Sequence, residues 1–537
     1  MNACDTRPWT VQLASGMRLQ LPPSLSSLST YVALEQERWF EPEISLVRYL
    51  MRPGEDALDI GANHGFYALE MARCGPDSHV WAFEPTQAPR RLLTGSIREN
   101  GFEECITVVP AGLAERDCEA DFDVSEHSEF NQRGGGTGAV ERVQLFALDG
   151  FLERHAPGRR IGFVKLDAEG EEPRIIAGGW RFFAEQQPVV VFELKHGANV
   201  NLALLQQWRA LGYGLFWWSE PLSLLLPFDE REAELDYALN LVAVTPRRQA
   251  ELAARGLLLT VEAMVSRPVP AVGSEALSTW CATPALAGLG TPGAAAVQAS
   301  GWLQAVAAVA AAHSQAALSP AERVACLMAA NDTVDPRTAT PEEMLLRVHV
   351  LHALGRQAAA LKLGRAVLQQ WQPGASLAGP GLPVVPPERT DLQFVPQGSL
   401  RDWLRQRLVE YVARRSAWSS YFQSSSAASW AALTTRPDHS PEIERRHLLT
   451  HLVSDGVPSI SALRWLPDAA CTANPAIWRA LIDTSRSLTA ATAVAATAAP
   501  GGAAKTARPT TGSPLVSPGA LTDFTAHLGL PKTLLRT

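Results

Sequence analysis

Between residues 57 and 244, short runs of Val, Ile, Leu and Phe alternate with segments of helical spacing. This alternation narrows the fold more than any other property of the chain. Ala57-Leu-Asp-Ile60, closed by Gly61, reads as a buried strand. Residues 64–73 then carry helical spacing and stop at Gly75-Pro76. The same logic predicts strands at 80–83, 106–109, 163–166, 189–192, 215–218 and 239–244, and helices at 88–99, 148–155, 172–185 and 202–211. Strands separated by helices run parallel, joined by right-handed crossovers. No helix fits between the last two strands, so they are expected to pair antiparallel and close a seven-stranded sheet. Residues 115–140 are polar and glycine-rich, with Arg133-Gly-Gly-Gly-Thr-Gly138, and read as an excursion or hairpin returning at 143–145.

Composition changes near residue 270, where Ala, Ser, Thr and Pro rise and β-branched runs fade. The first part therefore reads as α/β and the second as mostly α-helical. For a chain of 537 residues, several domains are expected. We divide it into an N-terminal extension (1–40), an α/β domain (41–250), a linker (251–300), a helical segment (301–375), a Pro-rich linker (376–398), a second helical segment (399–487) and a low-complexity tail (488–537). Residues 344–371 read as two helices joined at Leu354-Gly355 and loosely resemble one tetratricopeptide-like hairpin, with no clear second copy. Residues 400–416 form another amphipathic candidate.

A formal net charge of -8 gives no overall attraction to nucleic acid or to an anionic membrane. The seven cysteines are widely spaced without a C-x-x-C pair, which argues against a disulfide framework or a zinc site. No secretory signal and no transmembrane stretch is read, so a cytoplasmic location is expected.

Three segments carry chemistry. Asp59-Ile-Gly-Ala-Asn-His-Gly65 falls at a strand-to-helix turn, where open α/β sheets bind their ligands. Its G-x-N-x-G spacing is not the dinucleotide G-x-G-x-x-G, and the carboxylate before the turn suits a ligand with a cationic amino-acid tail. An ordinary glycine-rich turn also fits the loop taken alone. Glu84 ends the second strand, 19 residues after Gly65, near the spacing of a ribose-binding acid. Lys165-Leu-Asp-Ala-Glu-Gly170 places three charges at a central strand, which is costly unless they are paired or used. Strand alternation would send Lys165, Asp167 and Glu169 to one side if the strand runs that far. Phe192-Glu-Leu-Lys-His196 repeats the theme one strand over.

Taken together, these segments resemble the FkbM family of methyltransferases, a branch of the class I, Rossmann-like fold. The resemblance rests on Asp59 to Gly65, Ala82-Phe-Glu-Pro85, Leu148-Asp149, Lys165-Leu-Asp-Ala-Glu-Gly-Glu-Glu172, Val191-Phe-Glu193 and Leu239-Asn-Leu-Val-Ala-Val244, in family order over residues 40–246. Ala168 stands where a β-branched residue is common, and Pro173 follows the acids. The resemblance implies S-adenosylmethionine as methyl donor and a sugar, glycan or secondary-metabolite hydroxyl as acceptor. It assigns Asp59, Gly61, Asn63 and Gly65 to the cofactor loop and Glu84 to the ribose.

For such a transfer the protein positions the acceptor and helps remove its proton. Candidate catalytic residues are Lys165, Asp167, Glu169, Glu193 and His196. The carboxylates of Asp167, Glu169 and Glu193 are also candidate ligands for Mg²⁺. His64 reads as a lining residue. The rival readings are a non-catalytic interaction protein built on a methyltransferase-like domain and a nicotinamide-dependent oxidoreductase, the latter disfavoured by the missing third glycine. The helical C-terminal region is left with acceptor selection, docking of a protein partner or self-association as its roles.

Overall fold

The computed structural model describes residues 7–124, 132–133, 139–196, 199–229, 239–265, 269–313, 318–371, 383–384, 398–422, 430–431, 433–435, 439–454 and 473–483. A short antiparallel hairpin, β1 (Trp9–Gln12) and β2 (Arg18–Leu21), opens the chain. The central sheet is built from β3 (Asp56–Ile60), β4 (Val80–Phe83), β5 (Ile106–Val109), β10 (Ile161–Leu166), β11 (Val189–Glu193), β14 (Gly214–Ser219), β15 (Leu224–Pro227) and β16 (Asn240–Val244). A side sheet comprises β6 (Gly112–Ala114), β7 (Cys118–Val124), β8 (Gln132–Arg133) and β9 (Ala139–Ala147), and β12 (Lys195–His196) pairs with β13 (Asn199–Val200).

Spatial order in the central sheet is β15-β14-β16-β11-β10-β3-β4-β5. Neighbours from β11 to β5 are parallel, and β16 is inserted antiparallel between β11 and β14. The sheet is thus Rossmann-like with the expected antiparallel closure, but it has eight strands rather than seven. The extra edge strand is β15, antiparallel to β14. Its sequence, Leu-Leu-Leu-Pro, offers no alternation to mark it, because both faces are covered.

Alternation is clean in the strands at the centre. Leu58, Ile60, Val164, Leu166, Val190 and Phe192 join one core, while Ala57, Phe163, Val189 and Val191 face the other. By the same parity Asp59 and Lys165 face the second core, which is covered by the N-terminal hairpin, the Leu28–Gln36 helix and C-terminal residues such as Tyr421, Phe422, Leu448 and Trp478. Asp59 and Lys165 are also direct neighbours across β3 and β10. Two charged side chains therefore lie side by side inside the sheet, and their environment must satisfy them.

The predicted 172–185 helix is two helices, Glu172–Gly178 and Trp180–Gln186, broken at Gly179. Asp149 accepts from the Arg181 and Phe182 amides (3.1 and 2.8 Å) and so caps the second one. In the 115–140 excursion the described residues from Cys118 on belong to β7, β8 and β9 of the side sheet, and 125–131 and 134–138 lie outside the described residues.

Beyond β16 the chain is helical. Pro341–Ala353 and Gln357–Gln370 form the expected hairpin. A second pair, Gly301–Ala312 and Pro320–Asp332, precedes it. Two of these helices open on a capping box, Ser319-Pro-Ala-Glu322 and Thr340-Pro-Glu-Glu343. Leu224 and Leu226 of the edge strand belong to the core of this helical region, and the Ser219 hydroxyl donates to the Ala353 carbonyl at 2.6 Å. The Pro-rich linker, apart from residues 383–384 and 398, and the low-complexity tail lie outside the described residues. Among the described residues no helix is long and apolar enough to cross a membrane.

Candidate active site

A cavity opens at the carboxyl ends of β3, β4, β10 and β11. One wall is the loop from Asp59 to Gly65. Gly61, Asn63 and Gly65 all have positive φ, +83°, +43° and +95°, and glycine and asparagine are the residues that tolerate this region. The G-x-N-x-G spacing is thus a backbone requirement. Gly61 has a second one: a Cβ there would lie 1.7 Å from the Asp167 carbonyl oxygen. The loop then enters the Phe66–Cys74 helix.

Asp59 is buried beneath this turn. Burial pushes its carboxyl up to about 7, against Lys165 and the Ala68 amide, which favour the ionised form. Its Oδ2 is buried without a hydrogen-bond partner, an unsatisfied acceptor on a residue that lines the cavity. Glu84 ends β4 and faces the same cavity. Its Oε2 accepts from the Asn63 amide (3.0 Å), and its Oε1 from the Thr86 amide and hydroxyl (2.9 and 2.6 Å). Each carboxylate oxygen has two lone pairs; both on Oε1 are taken, and one on Oε2 is left to accept from a further hydroxyl. These residues fit S-adenosylmethionine.

The opposite wall is acidic. β10 ends at Leu166, so strand alternation does not reach Glu169. The chain turns through Glu169 at φ +50° and Gly170 at +95°. Glu172 folds back to accept from the Ala168 amide (2.8 Å) and Gly170 amide (3.3 Å), and burial raises its carboxyl to about 7. Among the described residues, the carboxylates whose oxygens converge within 4.8 Å are Asp167, Glu172 and Glu193, so Glu172 rather than Glu169 completes the set that could hold a cation. Glu169 lines the cavity with Asp167 and Glu193. Burial, then Asp167, Glu169 and Glu172, hold the Glu193 carboxyl well above the usual range. His196 lies in β12, and its side chain is outside the described residues. His64 is buried, lines the cavity and bonds Ser29 Oγ through Nδ1 at 2.9 Å.

Lys165 sits beneath both walls, 2% exposed. Its Nζ lies 3.1 Å from Glu41 Oε2, 3.0 Å from Asn240 Oδ1 and 3.3 Å from Asp167 Oδ2, and 4.8 Å from the Tyr67 ring centroid. Glu41 also accepts from the Tyr67 hydroxyl and Asn240 Nδ2, both at 2.8 Å. Burial alone would raise the Glu41 pKa, but Lys165 and hydrogen bonds from Tyr67 and Trp39 bring it below its usual value. Glu43, reached by Asn240 Nδ2 at 3.2 Å, is pushed up to about 8 by burial and by Glu41. Sequence reading assigned no role to Glu41, Glu43, Tyr67 or Asn240. Glu41-Pro42-Glu43 stands at a helix entrance, and Asn240 interrupts an apolar strand; both were available signals.

Residues 59–215 match the methyltransferase FkbM domain. The FkbM match includes every cofactor-loop residue, Glu84 and the whole acidic wall. Of solved structures, the methyltransferase FkbM from Methylobacillus flagellatus is 17% identical over 38% of this chain and 50% of that one, with a TM-score of 0.25. The chain thus spans half the length of that protein. A precorrin-6y C5,15-methyltransferase from Geobacter metallireducens is 14% identical over 32% of this chain and 70% of that one, with a TM-score of 0.22. No curated protein matches the sequence.

Proposed function

We propose that the chain is an S-adenosylmethionine-dependent methyltransferase acting on a hydroxyl oxygen of a sugar, glycan or secondary metabolite. The observation that carries this reading is one cavity with two chemically distinct walls. The Asp59–Gly65 loop and Glu84 suit the cofactor, and Asp167 and Glu193 face them from across the sheet.

When bound, S-adenosylmethionine would supply a sulfonium methyl group for transfer to the acceptor oxygen, with S-adenosylhomocysteine as the leaving group. Asp59 would hold the cofactor's cationic end through its open oxygen, and Glu84 its ribose. Glu193 would take the acceptor's proton, with Asp167 beside it positioning the hydroxyl. A free carboxylate is a weak base near neutral pH, and the raised Glu193 is a stronger one. Lys165 keeps Asp167 oriented and partly compensates the acidic wall. Because its ammonium already stands against Asp167, we favour base catalysis over a Mg²⁺ held by Asp167, Glu172 and Glu193.

The test begins with titration of the full-length chain with S-adenosylhomocysteine, beside Asp59→Ala and Glu84→Ala. Micromolar binding that weakens at least tenfold in both variants supports the cofactor site. A folded wild type that binds nothing removes the reading in favour of an interaction protein. Transfer of labelled methyl from S-adenosylmethionine to panels of hydroxyl and amine acceptors then separates oxygen from nitrogen chemistry. Turnover that survives EDTA keeps the base reading, and turnover restored only by Mg²⁺ replaces it.

A further inference from the structure

The Leu28–Gln36 helix is nine residues long and buried along residues 28 to 35. It is covered from two sides by different parts of the chain. At 100° per residue, Tyr31 and Glu35 lie about 40° apart, and Ser29 lies about 200–240° from them. The Ser29 face meets the active site. Leu28 and Ser29 line the cavity, and Ser29 Oγ is 2.9 Å from His64 Nδ1 in the cofactor loop. The chain leaving the helix adds Trp39, Phe40 and Glu41 to the cavity wall.

The opposite face meets residues nearly 400 positions away. Glu35 is 0% exposed. Its Oε1 accepts from the Ser420 amide at 2.9 Å and from the Ser420 hydroxyl. The same hydroxyl is 2.9 Å from Tyr31 Oη. Arg446 lies 3.7 Å from Glu35 Oε2, and Arg445 Nε donates to the Glu35 carbonyl at 2.7 Å. Gln36 Nε2 donates to the Trp418 carbonyl at 2.7 Å, and the Tyr421 hydroxyl donates to the Ser26 carbonyl at 2.7 Å. The Tyr31 and Tyr421 rings pack edge-on at 5.3 Å. A nine-residue helix is not stable alone in water, and this C-terminal surface supplies the partners of its Tyr31–Gln36 side.

We propose that Glu35 and Ser420 are positioning residues through which the C-terminal region holds the 28–41 segment against the cofactor loop and Lys165. The C-terminal region then supports one wall of the active site from behind, and residues 1–250 alone lack the surface that holds the 28–41 segment in place. For the cofactor this inference rests on the proposed function; for the helix it stands alone.

The test uses the full-length chain carrying Ser420→Ala, Ser420→Thr or Gln36→Ala. Two quantities are read: amide hydrogen exchange in 28–41 against that in β10, and affinity for S-adenosylhomocysteine. Ser420→Ala is expected to speed exchange in 28–41 about tenfold and to weaken binding severalfold, with β10 unchanged and Ser420→Thr restoring both. Unchanged exchange in 28–41, or faster exchange with affinity unchanged, overturns the proposal. Should Ser420→Ala fail to fold, Gln36→Ala, at a half-buried position, is read by the same two outcomes. A wild type that does not bind S-adenosylhomocysteine removes the proposed function, and the exchange comparison alone then decides the clamp.

Discussion

Lys165 Nζ and Glu41 Oε2 are 3.1 Å apart, both side chains less than a tenth exposed, across 124 residues of sequence. This pair carries the charge of a central strand into the only kind of surroundings that tolerate it, a partnered and hydrogen-bonded network. Removing one partner leaves the other buried and uncompensated. Lys165→Met should therefore cost about 3–5 kcal/mol in urea denaturation. Adding Glu41→Gln to it should recover part of that loss. A single variant that loses less than about 1 kcal/mol would show that the network does not hold the sheet.

Glu43 gives a pH signature. Its folded pKa, about 8, stands above the ordinary value near 4.5 because burial and Glu41 oppose its charge. Between those values the folded state holds a proton that the unfolded state has released. Stability from this group is therefore lost as pH rises, and the loss levels off above about 8. Glu43→Gln lacks the titration. Its stability relative to wild type should climb by about 1.4 kcal/mol per pH unit from pH 6 to 8 and then flatten. Parallel denaturation curves across pH check this, and a constant difference would show that Glu43 is not proton-bound in the fold.

Asp59 should make cofactor binding pH-dependent. With a folded pKa of about 7, it is half protonated near neutrality and attracts a cationic group only when ionised. Affinity for S-adenosylhomocysteine should strengthen as pH rises from 6 to 8, severalfold by calorimetry. Asp59→Asn should bind more weakly and show a flat profile. A wild-type profile as flat as the variant's would take Asp59 out of the contact.

Gly61→Ala tests the loop geometry. Its φ of +83° is unfavourable for any Cβ, and the Asp167 carbonyl oxygen occupies the Cβ position. The backbone conformation alone costs about 1–2 kcal/mol, and displacing the Asp167 peptide adds to it. We expect at least about 2 kcal/mol of destabilisation with loss of S-adenosylhomocysteine binding. A well-folded Gly61→Ala that binds normally would contradict the described turn.

Local chemistry was legible in the sequence, and long-range chemistry was not. The Asp59 loop, Glu84 and the Lys165–Glu172 segment could be placed because glycine spacing and strand ends are local signals. Lys165 was marked as a charge in need of a partner, but only Asp167 was near enough in sequence to be named. Glu41, Tyr67 and Asn240 reach it through the sheet's closure and the packing of the N-terminal segment, neither of which leaves a periodic trace. Glu169 was put in the cation set in place of Glu172 by extending strand alternation beyond Leu166, the strand's last residue, into a left-handed turn that reverses the chain. The Leu28–Gln36 helix was missed because its residues are buried all round, which removes amphipathic spacing.

The edge strand β15 has one further consequence. Leu225 of that strand accepts from the Leu259 amide and donates to the Leu257 carbonyl, at 2.9 and 2.8 Å. Residues 257–259, well beyond the end of the FkbM match at residue 215, thus sheathe the sheet's open margin. A chain cut near residue 250 would bare a flat Leu-rich strand with unpaired peptide groups, a template for other chains to add to. Such a fragment should form aggregates on expression, which would make the α/β boundary expected at residue 250 a poor place to divide this protein.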